Sequence, residues 1–235
     1  MEGAKTVDQA VTVLMVLEKQ PLSVSQVSEM TGLNRTVVHR MLATLHDRGF
    51  VRRELDRYSL GAVFVRFATK IEPALLTATR PAMQELSDAT GETVVLSVAD
   101  HLDVVAIAQC AGRVHPLRVE YEIGSRRPIT KGAGGRAILA YHDKALVERA
   151  LRTVPNPADQ MEALAQTREK GYAETHDELH EGLDGVAAPL WLDGKVVASL
   201  SVIVPAQRGR TMSAHLESLL RAADAATAAL GGLNP

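Results

Sequence analysis

Apolar residues near the start of the chain recur every three to four positions, whereas long β-branched runs begin only after residue 92. That change of period predicts a largely helical first part and a second part built on a sheet. Val7, Ala10, Val11, Leu14 and Leu17 share one helical face between Thr6 and Gln20, with Pro21 as the stop. Val24, Val27 and Met30 form a second, shorter stripe. Thr31-Gly32-Leu33-Asn34 is a turn in which Gly32 is free to take a positive φ, and Asn34 suits the N-cap of the next helix. There Val37, Val38, Met41, Leu42 and Leu45 make the inner face and leave Arg35, Thr36, His39 and Arg40 outward. Two helices joined by a glycine turn, the second presenting basic and polar groups from its first turns, predict a helix-turn-helix that enters the major groove. Phe50 to Leu60 then alternates apolar and charged residues, which predicts a hairpin carrying Arg52, Arg53 and Arg57. A basic hairpin straight after a recognition helix is a wing for phosphate or the minor groove.

Further along, Gly61–Thr69 predicts a connecting helix with Val63, Phe64, Phe67 and Ala68 apolar, and a partner subunit is the expected cover for that face. Glu72-Pro73 breaks it, and a helix over Ala74–Thr90 ends at Gly91. Thr93–Val98 and Val104–Ala108 read as strands around a turn at 99–103, and the alternation of Leu117–Ile123 predicts a third strand. A glycine-rich loop over Gly124–Gly135 opens a helix at Arg136–Tyr141. Helices at Lys144–Thr153 and Pro157–Lys170 follow. Gly185–Leu192 and Lys195–Val204 form a hairpin over Asp193-Gly194, and Met212–Leu230 is a last helix stopped by Gly231-Gly232. Strands and helices mix without strict βαβ alternation, so the second part is α+β with an antiparallel sheet. The expected division is 1–62, a linker helix at 63–80, and 81–235.

Charge sharpens this division. The 235 residues carry a net charge of −2, which by itself says nothing about nucleic acid. Residues 1–68, however, hold nine Lys/Arg against seven Asp/Glu, while 69–235 hold 17 against 21. A basic first part on an acidic body fits a chain in which one part alone approaches phosphate. Cys110 is the only cysteine, so no intrachain disulfide forms and a reducing compartment is expected. The first residues, MEGAKTVDQAV, do not read as a signal peptide. The longest apolar run, near Val196–Val204, is half a membrane span and carries two serines, so a cytoplasmic protein is expected.

Three patterns invite other chemistry. Gly132-Ala133-Gly134-Gly135-Arg136-Ala137 fits the loose dinucleotide pattern, but no buried strand precedes it and no acidic residue ends a second strand about 20 positions on. His176-Asp177-Glu178-Leu179-His180 sets two histidines four apart, on a possible helix. Asp stands where a zinc hydrolase needs its glutamate, and no third ligand is evident. A hydrolase centred on His176 and His180 is therefore the alternative to a regulator, and two solvated histidines are the better expectation. Cys110 reads as a buried filler rather than a nucleophile. Trp191 is open between a cavity wall and the hairpin core. No enzyme activity, metal or cofactor is expected.

Over nearly its whole length the chain resembles the IclR family of bacterial transcriptional regulators. The likeness rests on LNRTVVHRMLATLHDRGFV at the helix-turn-helix, GAGGRAILA at 132–140, and REKGYAETHDELHEGLDGVAAPLWLDGKVVASLSV at 168–202. It agrees with a winged DNA-binding domain whose contacts, from the outward helix face and the basic hairpin, are expected at Asn34, Arg35, Thr36, His39, Arg40, Arg52, Arg53 and Arg57. It also implies a GAF-like C-terminal domain that binds a small organic acid, in dimers or tetramers acting on palindromic operators. The implied effector positions are Gly132, Ala133 and Gly134, Thr175 to Asp177, Gly185, Ser201 and Ile203. The first three agree with the physics of a helix N-terminus, whose free amides favour a carboxylate. Gly185 and Ile203 stand where the family pattern has cysteine and serine, which implies a larger or more apolar acid.

Overall fold

The computed structural model describes residues 4–232, so the first three residues of the expected first domain and the last three of the expected second lie outside the described residues. The chain divides into two compact units, one ending at Pro73 and the other beginning at Ala74.

The first unit opens with α1 (Lys5–Val16), which stops short of the predicted Gln20. Glu18, Lys19 and Gln20 are exposed and offer the core nothing, and Pro21 disfavours helical backbone at the residue before it. A two-residue strand β1 (Leu22–Ser23) leads into α2 (Val24–Thr31). The Ser23 hydroxyl accepts from the Gln26 amide while the Gln26 side chain accepts from the Ser23 amide, a reciprocal capping box. Gly32 closes α2 at φ +69°, a left-handed conformation that glycine adopts at no steric cost. α3 (Arg35–Asp47) follows with Asn34 as its N-cap, and β2 (Val51–Glu54) and β3 (Arg57–Leu60) form the predicted hairpin. β3 also pairs with β1, giving a three-stranded sheet in the order β1-β3-β2. Val13, Leu17, Leu22, Val27, Val38, Leu42, Val51 and Tyr58 bury together as its core. α4 (Val63–Ala68) lies against this unit. Phe64 and Phe67 both meet Phe50, at ring centroid distances of 5.6 and 5.8 Å. The three rings therefore pack together within this unit, while Val65, Phe67 and Ile71 remain exposed.

The second unit starts on α5 (Pro73–Thr90) and carries a six-stranded sheet with every pair antiparallel. Its strands are β4 (Thr93–Asp100), β5 (Asp103–Cys110), β6 (Arg126–Pro128), β7 (Ala173–His176), β8 (Leu183–Leu192) and β9 (Lys195–Pro205), in the order β6-β5-β4-β9-β8-β7. Period-two alternation divides the sheet into two unlike faces. Val94, Leu96, Val186, Ala188, Leu190, Leu200, Val202 and Val204 pack with α5 and the last helix, α9 (Met212–Gly231), as the larger core. The opposite face carries Val95, Ser97, Gly185, Ala187, Ser199, Ser201 and Ile203. Against it lies α6 (Gly132–Leu139), meeting it through Ala133, Ala137, Ala173 and Ala187. Alanine on both sides lets helix and sheet approach closely. α7 (Lys144–Leu151) and α8 (Pro157–Lys170) complete a third core around Ile138, Leu139 and Leu164.

Four sequence expectations change. Leu117–Ile123 is not a strand. The outer edge of β5 is filled by Arg126–Pro128 and by a turn in which Gly124 N–H donates to Ala106 O. The segment is held by side chains instead: Thr93 Oγ1 donates to Val119 O, and Tyr121 N–H to Gln109 Oε1. α6 begins at Gly132, not Arg136. Residues 173–176 form a strand that the sequence pattern did not show. It pairs with β8, and it puts His176 at a strand end rather than on a helix. Trp191 is half-buried and packs edge-on against Tyr141 at 4.8 Å, on the hairpin rather than in a cavity wall.

Candidate functional site

Two surfaces collect the candidate residues, one in each unit. On the first, Asn34 accepts from the Thr36 amide at 2.9 Å and so fixes the start of α3. Arg35, Thr36, His39 and Arg40 are all exposed on the first half of this helix. Among the described residues, the side chains of Arg35, His39 and Arg40 make no hydrogen bond or ion pair, so their donors face solvent. Arg40 lies at the edge of that face, in a groove between α1 and α3 with Thr6, Gln9 and Thr44. The wing arginines are tied down. Arg52 donates to Ser59 Oγ at 2.9 Å and pairs with Glu54 at 3.0 Å. Arg53 donates to Leu55 O and lies over the Tyr58 ring, and Arg57 donates to Pro21 O at 3.1 Å. These bonds hold the guanidinium groups on a hairpin whose tip, Leu55, is 94% exposed.

The second surface is a small, partly open cavity of about 40 Å³ between α6 and the serine-bearing face of the sheet. Gly132, Ala133, Gly134, Thr175, Gly185, Ser201 and Ile203 all line it. Asp177 does not. Its φ of +52° turns the carboxylate back into its own loop, where it accepts from Gly182 N–H at 2.6 Å. The glycines before Arg136 each have a distinct reason. Gly132 takes φ +78°, and a Cβ on Gly135 would come within 2.4 Å of Ile129 O, so only glycine lets α6 start here. Gly134 instead leaves room: a Cβ there would meet Ser201 Oγ at 3.0 Å and Ser199 Oγ at 3.2 Å.

Sequence reasoning missed Val95, Ser97, Val104, Tyr121, Lys131, Gly135, Leu179, Leu183 and Asp184 as lining residues. Strand register was the missing signal. Ser97 opposes Ser199 and Val95 opposes Ser201 across β4 and β9, so their side chains share a face only once that pairing is known. The Gly132 amide is not free: it donates to Glu178 Oε2 at 2.8 Å, and the same carboxylate pairs with Arg136. The Ala133 and Gly134 amides have no such partner among the described residues. The cavity therefore offers two backbone N–H groups and the hydroxyls of Ser97 and Ser201 at one end. Val95, Val104, Leu179, Leu183 and Ile203 give it an apolar stretch, beside Tyr121, Lys131, Thr175 and the buried carboxylate of Asp184.

The other chemical readings find no support in the geometry. His176 Nδ1 lies 3.2 Å from Asp184 and its Nε2 3.5 Å from Glu174, while His180 is exposed in a bend. Among the described residues, no group of three or more His, Cys, Asp or Glu is placed to hold a metal ion. Burial pushes the Cys110 thiol up, away from reactive thiolate. No described helix is long and apolar enough to cross a membrane.

A winged helix-turn-helix unit followed by an α+β unit with a small pocket at a helix N-terminus is the arrangement of a DNA-binding regulator. Two family models match: the IclR helix-turn-helix domain over residues 6–55 and the bacterial transcriptional regulator IclR C-terminal domain over 72–229. The chain belongs to the IclR family, a family of transcriptional regulators rather than enzymes. An HTH-type transcriptional regulator of Mycobacterium tuberculosis is 32% identical, over 94% of this chain and 90% of its own length. The solved IclR regulator from Alicyclobacillus acidocaldarius is 26% identical with a TM-score of 0.80, covering 98% of this chain and all of that one. An IclR homologue from Microbacterium hydrocarbonoxydans, solved with 4-hydroxybenzoate, has a TM-score of 0.83 at 21% identity, covering 97% and 99%.

Proposed function

We propose that this chain is a cytoplasmic regulator whose grip on a palindromic operator is set by a small organic acid held in the α6 cavity. The observation that carries the reading is the convergence of seven implied effector positions on one cavity that opens on free amides of a helix N-terminus. The acid's carboxylate accepts from the Ala133 and Gly134 amides and from Ser97 and Ser201, and its apolar body lies against Val95, Val104 and Ile203. Gly185 adds room beside Ala133 and Thr175, where a Cβ would make ordinary 3.6 Å contacts. A monocarboxylate with a compact apolar or aromatic body fits this division, and the 4-hydroxybenzoate in the Microbacterium homologue is a ligand of that class.

On DNA, Arg35, Thr36, His39 and Arg40 read the major groove while Arg52, Arg53 and Arg57 hold phosphate. A homodimer or homotetramer supplies the two wings and two helices that a palindrome requires. Ligand binding shifts the spacing of those helices through its differential affinity for the two arrangements. The test is a thermal-shift screen of carboxylates on the purified full chain. An acid that stabilises the native state raises the melting temperature in proportion to ln(1 + [L]/Kd), and no such acid among aliphatic and aromatic monocarboxylates would overturn the reading.

A further inference from the structure

The α6 N-terminus already holds a carboxylate, and it comes from the chain itself. Glu178 accepts from Gly132 N–H at 2.8 Å with its Oε2 and pairs with the Arg136 guanidinium through Oε1. Most helix caps are supplied by the residue next to the helix. Here Lys131, the N-cap, makes no such bond, and the cap arrives from 46 residues away. Glu178 rides on the loop 177–182, which closes on itself. Asp177 N–H donates to Leu183 O, and Gly182 N–H to Asp177 Oδ1. Asp177 and Gly182, at φ +52° and +83°, are the points where this loop turns away from β7 and back into β8. Its next residue, Leu179, lines the cavity and covers Gly132, so that a Cβ on Gly132 would lie 3.6 Å from it. Loop, Glu178 and Leu179 therefore form one wall of the cavity, fastened over its donor end.

A second observation points to an anion at that end. Ser199 is fully buried, its hydroxyl has no hydrogen-bond partner among the described residues, and it is aimed at the first turn of α6 beneath Gly134. With Ser97 and Ser201 beside it, this turn has more donors than Glu178 can satisfy. We infer that Glu178 is a built-in competitor for the effector's carboxylate: it latches the 177–182 loop over the cavity, and an anionic ligand engages the site by displacing it. The ligand then takes over the amides of α6, and Arg136, still bonded to Glu174 O through one nitrogen, is left without its carboxylate partner. This rests on the effector reading above for the identity of the displacing group, but the latch itself does not.

Hydrogen–deuterium exchange on the full chain tests it, with benzoate and 4-hydroxybenzoate as probes. Without any probe, Glu178→Ala speeds exchange of the 177–183 segment about tenfold, and Glu178→Gln, which keeps the shape but not the charge, does so less. Unchanged exchange in both variants overturns the latch. With a probe, the wild-type chain shows protection at 132–136 together with faster exchange at 177–183, the reverse of ordinary burial under a ligand. Affinity for the probe rises roughly 3- to 10-fold in Glu178→Ala, because a larger share of the protein is already open. Weaker probe binding in Glu178→Ala, with slower loop exchange on binding, would make Glu178 part of the ligand's own site and also overturn the inference. If neither probe binds either protein while the loop still loosens in Glu178→Ala, the latch stands and the choice of these acids fails.

Discussion

Arg208→Ala offers the sharpest structural prediction, because its effect has two separable parts. Glu92, whose side chain is 2% exposed, receives Arg208 Nε at 2.7 Å and a terminal nitrogen at 2.9 Å, and that nitrogen also donates to Leu117 O at 3.0 Å. Removing one partner of a buried pair costs about 3–5 kcal/mol, since the remaining charge is left in a poor solvent. Arg208 is 23% exposed and His115 Nε2 stands 3.6 Å from the same carboxylate, so water and His115 recover part of this. The expected loss is about 2–3 kcal/mol after that discount. Urea unfolding followed by Trp191 fluorescence reads it. The only tryptophan lies in the second unit, so the first unit's unfolding does not mix into the signal. The second part is local. Leu117 O loses its donor, the 111–121 segment loosens, and Tyr121, a cavity wall, becomes mobile. Affinity for any carboxylate that binds wild type should fall. Arg208→Met combined with Glu92→Gln removes the pair together and should cost less than Arg208→Ala alone. A midpoint shift worth under about 0.5 kcal/mol, at unchanged slope, would refute the account of this pair.

Three further outcomes follow from the same geometry. Arg40→Ala should weaken specific operator binding by roughly 1–3 kcal/mol and relax preference at one base pair, whereas Arg52→Ala should weaken binding to all sequences and lower the salt slope by about 1. Fluorescence anisotropy against matched and scrambled duplexes at several salt concentrations distinguishes them. Burial holds His215 below its ordinary value, against an opposing pull from Glu92, while His115 and Arg208 push the same way as burial. The unfolded chain therefore binds a proton first as pH falls through about 6.5, so stability drops below that pH and levels off once the folded form also titrates. His215→Gln should flatten this limb in thermal melts taken between about pH 7 and 5. Gly134→Val should place branches against Ser199 and Ser201 and abolish the melting shift produced by carboxylates. Operator affinity without ligand should be unchanged, and a retained shift would show that ligands bind elsewhere.

How much of this was legible from residue patterns depended on how local the cause is. α2, the Gly32 turn, the Asn34 cap and the hairpin over Asp193-Gly194 follow from signals a few residues long, and the structure has them in place. The alternation at Leu117–Ile123 looked like a strand because period two marks any segment that faces a core on one side. Its backbone is in fact anchored by Thr93, Gln109 and Arg208, all distant in the chain. β7 escaped because AETH is four residues with no apolar run, and β8 supplies its partner. In the cavity, Gly132, Ala133 and Gly134 are legible by family likeness, although the residue pattern starts the helix four positions late, at Arg136. Ser97 and Val95 needed the β4–β9 register, and Glu178 needed a contact spanning 46 residues.

Operator binding with and without acid tests the central claim most directly. With an operator selected from random duplexes by the full chain, anisotropy titrations are run in the absence of ligand and at saturation with the carboxylate that gives the largest melting shift. Two coupled sites predict a change in operator Kd of about 5- to 150-fold, in either direction, that disappears in Gly134→Val. An acid that binds the wild-type chain and raises its melting temperature, yet leaves operator Kd unchanged, would contradict the claim that the cavity controls the DNA-reading helices.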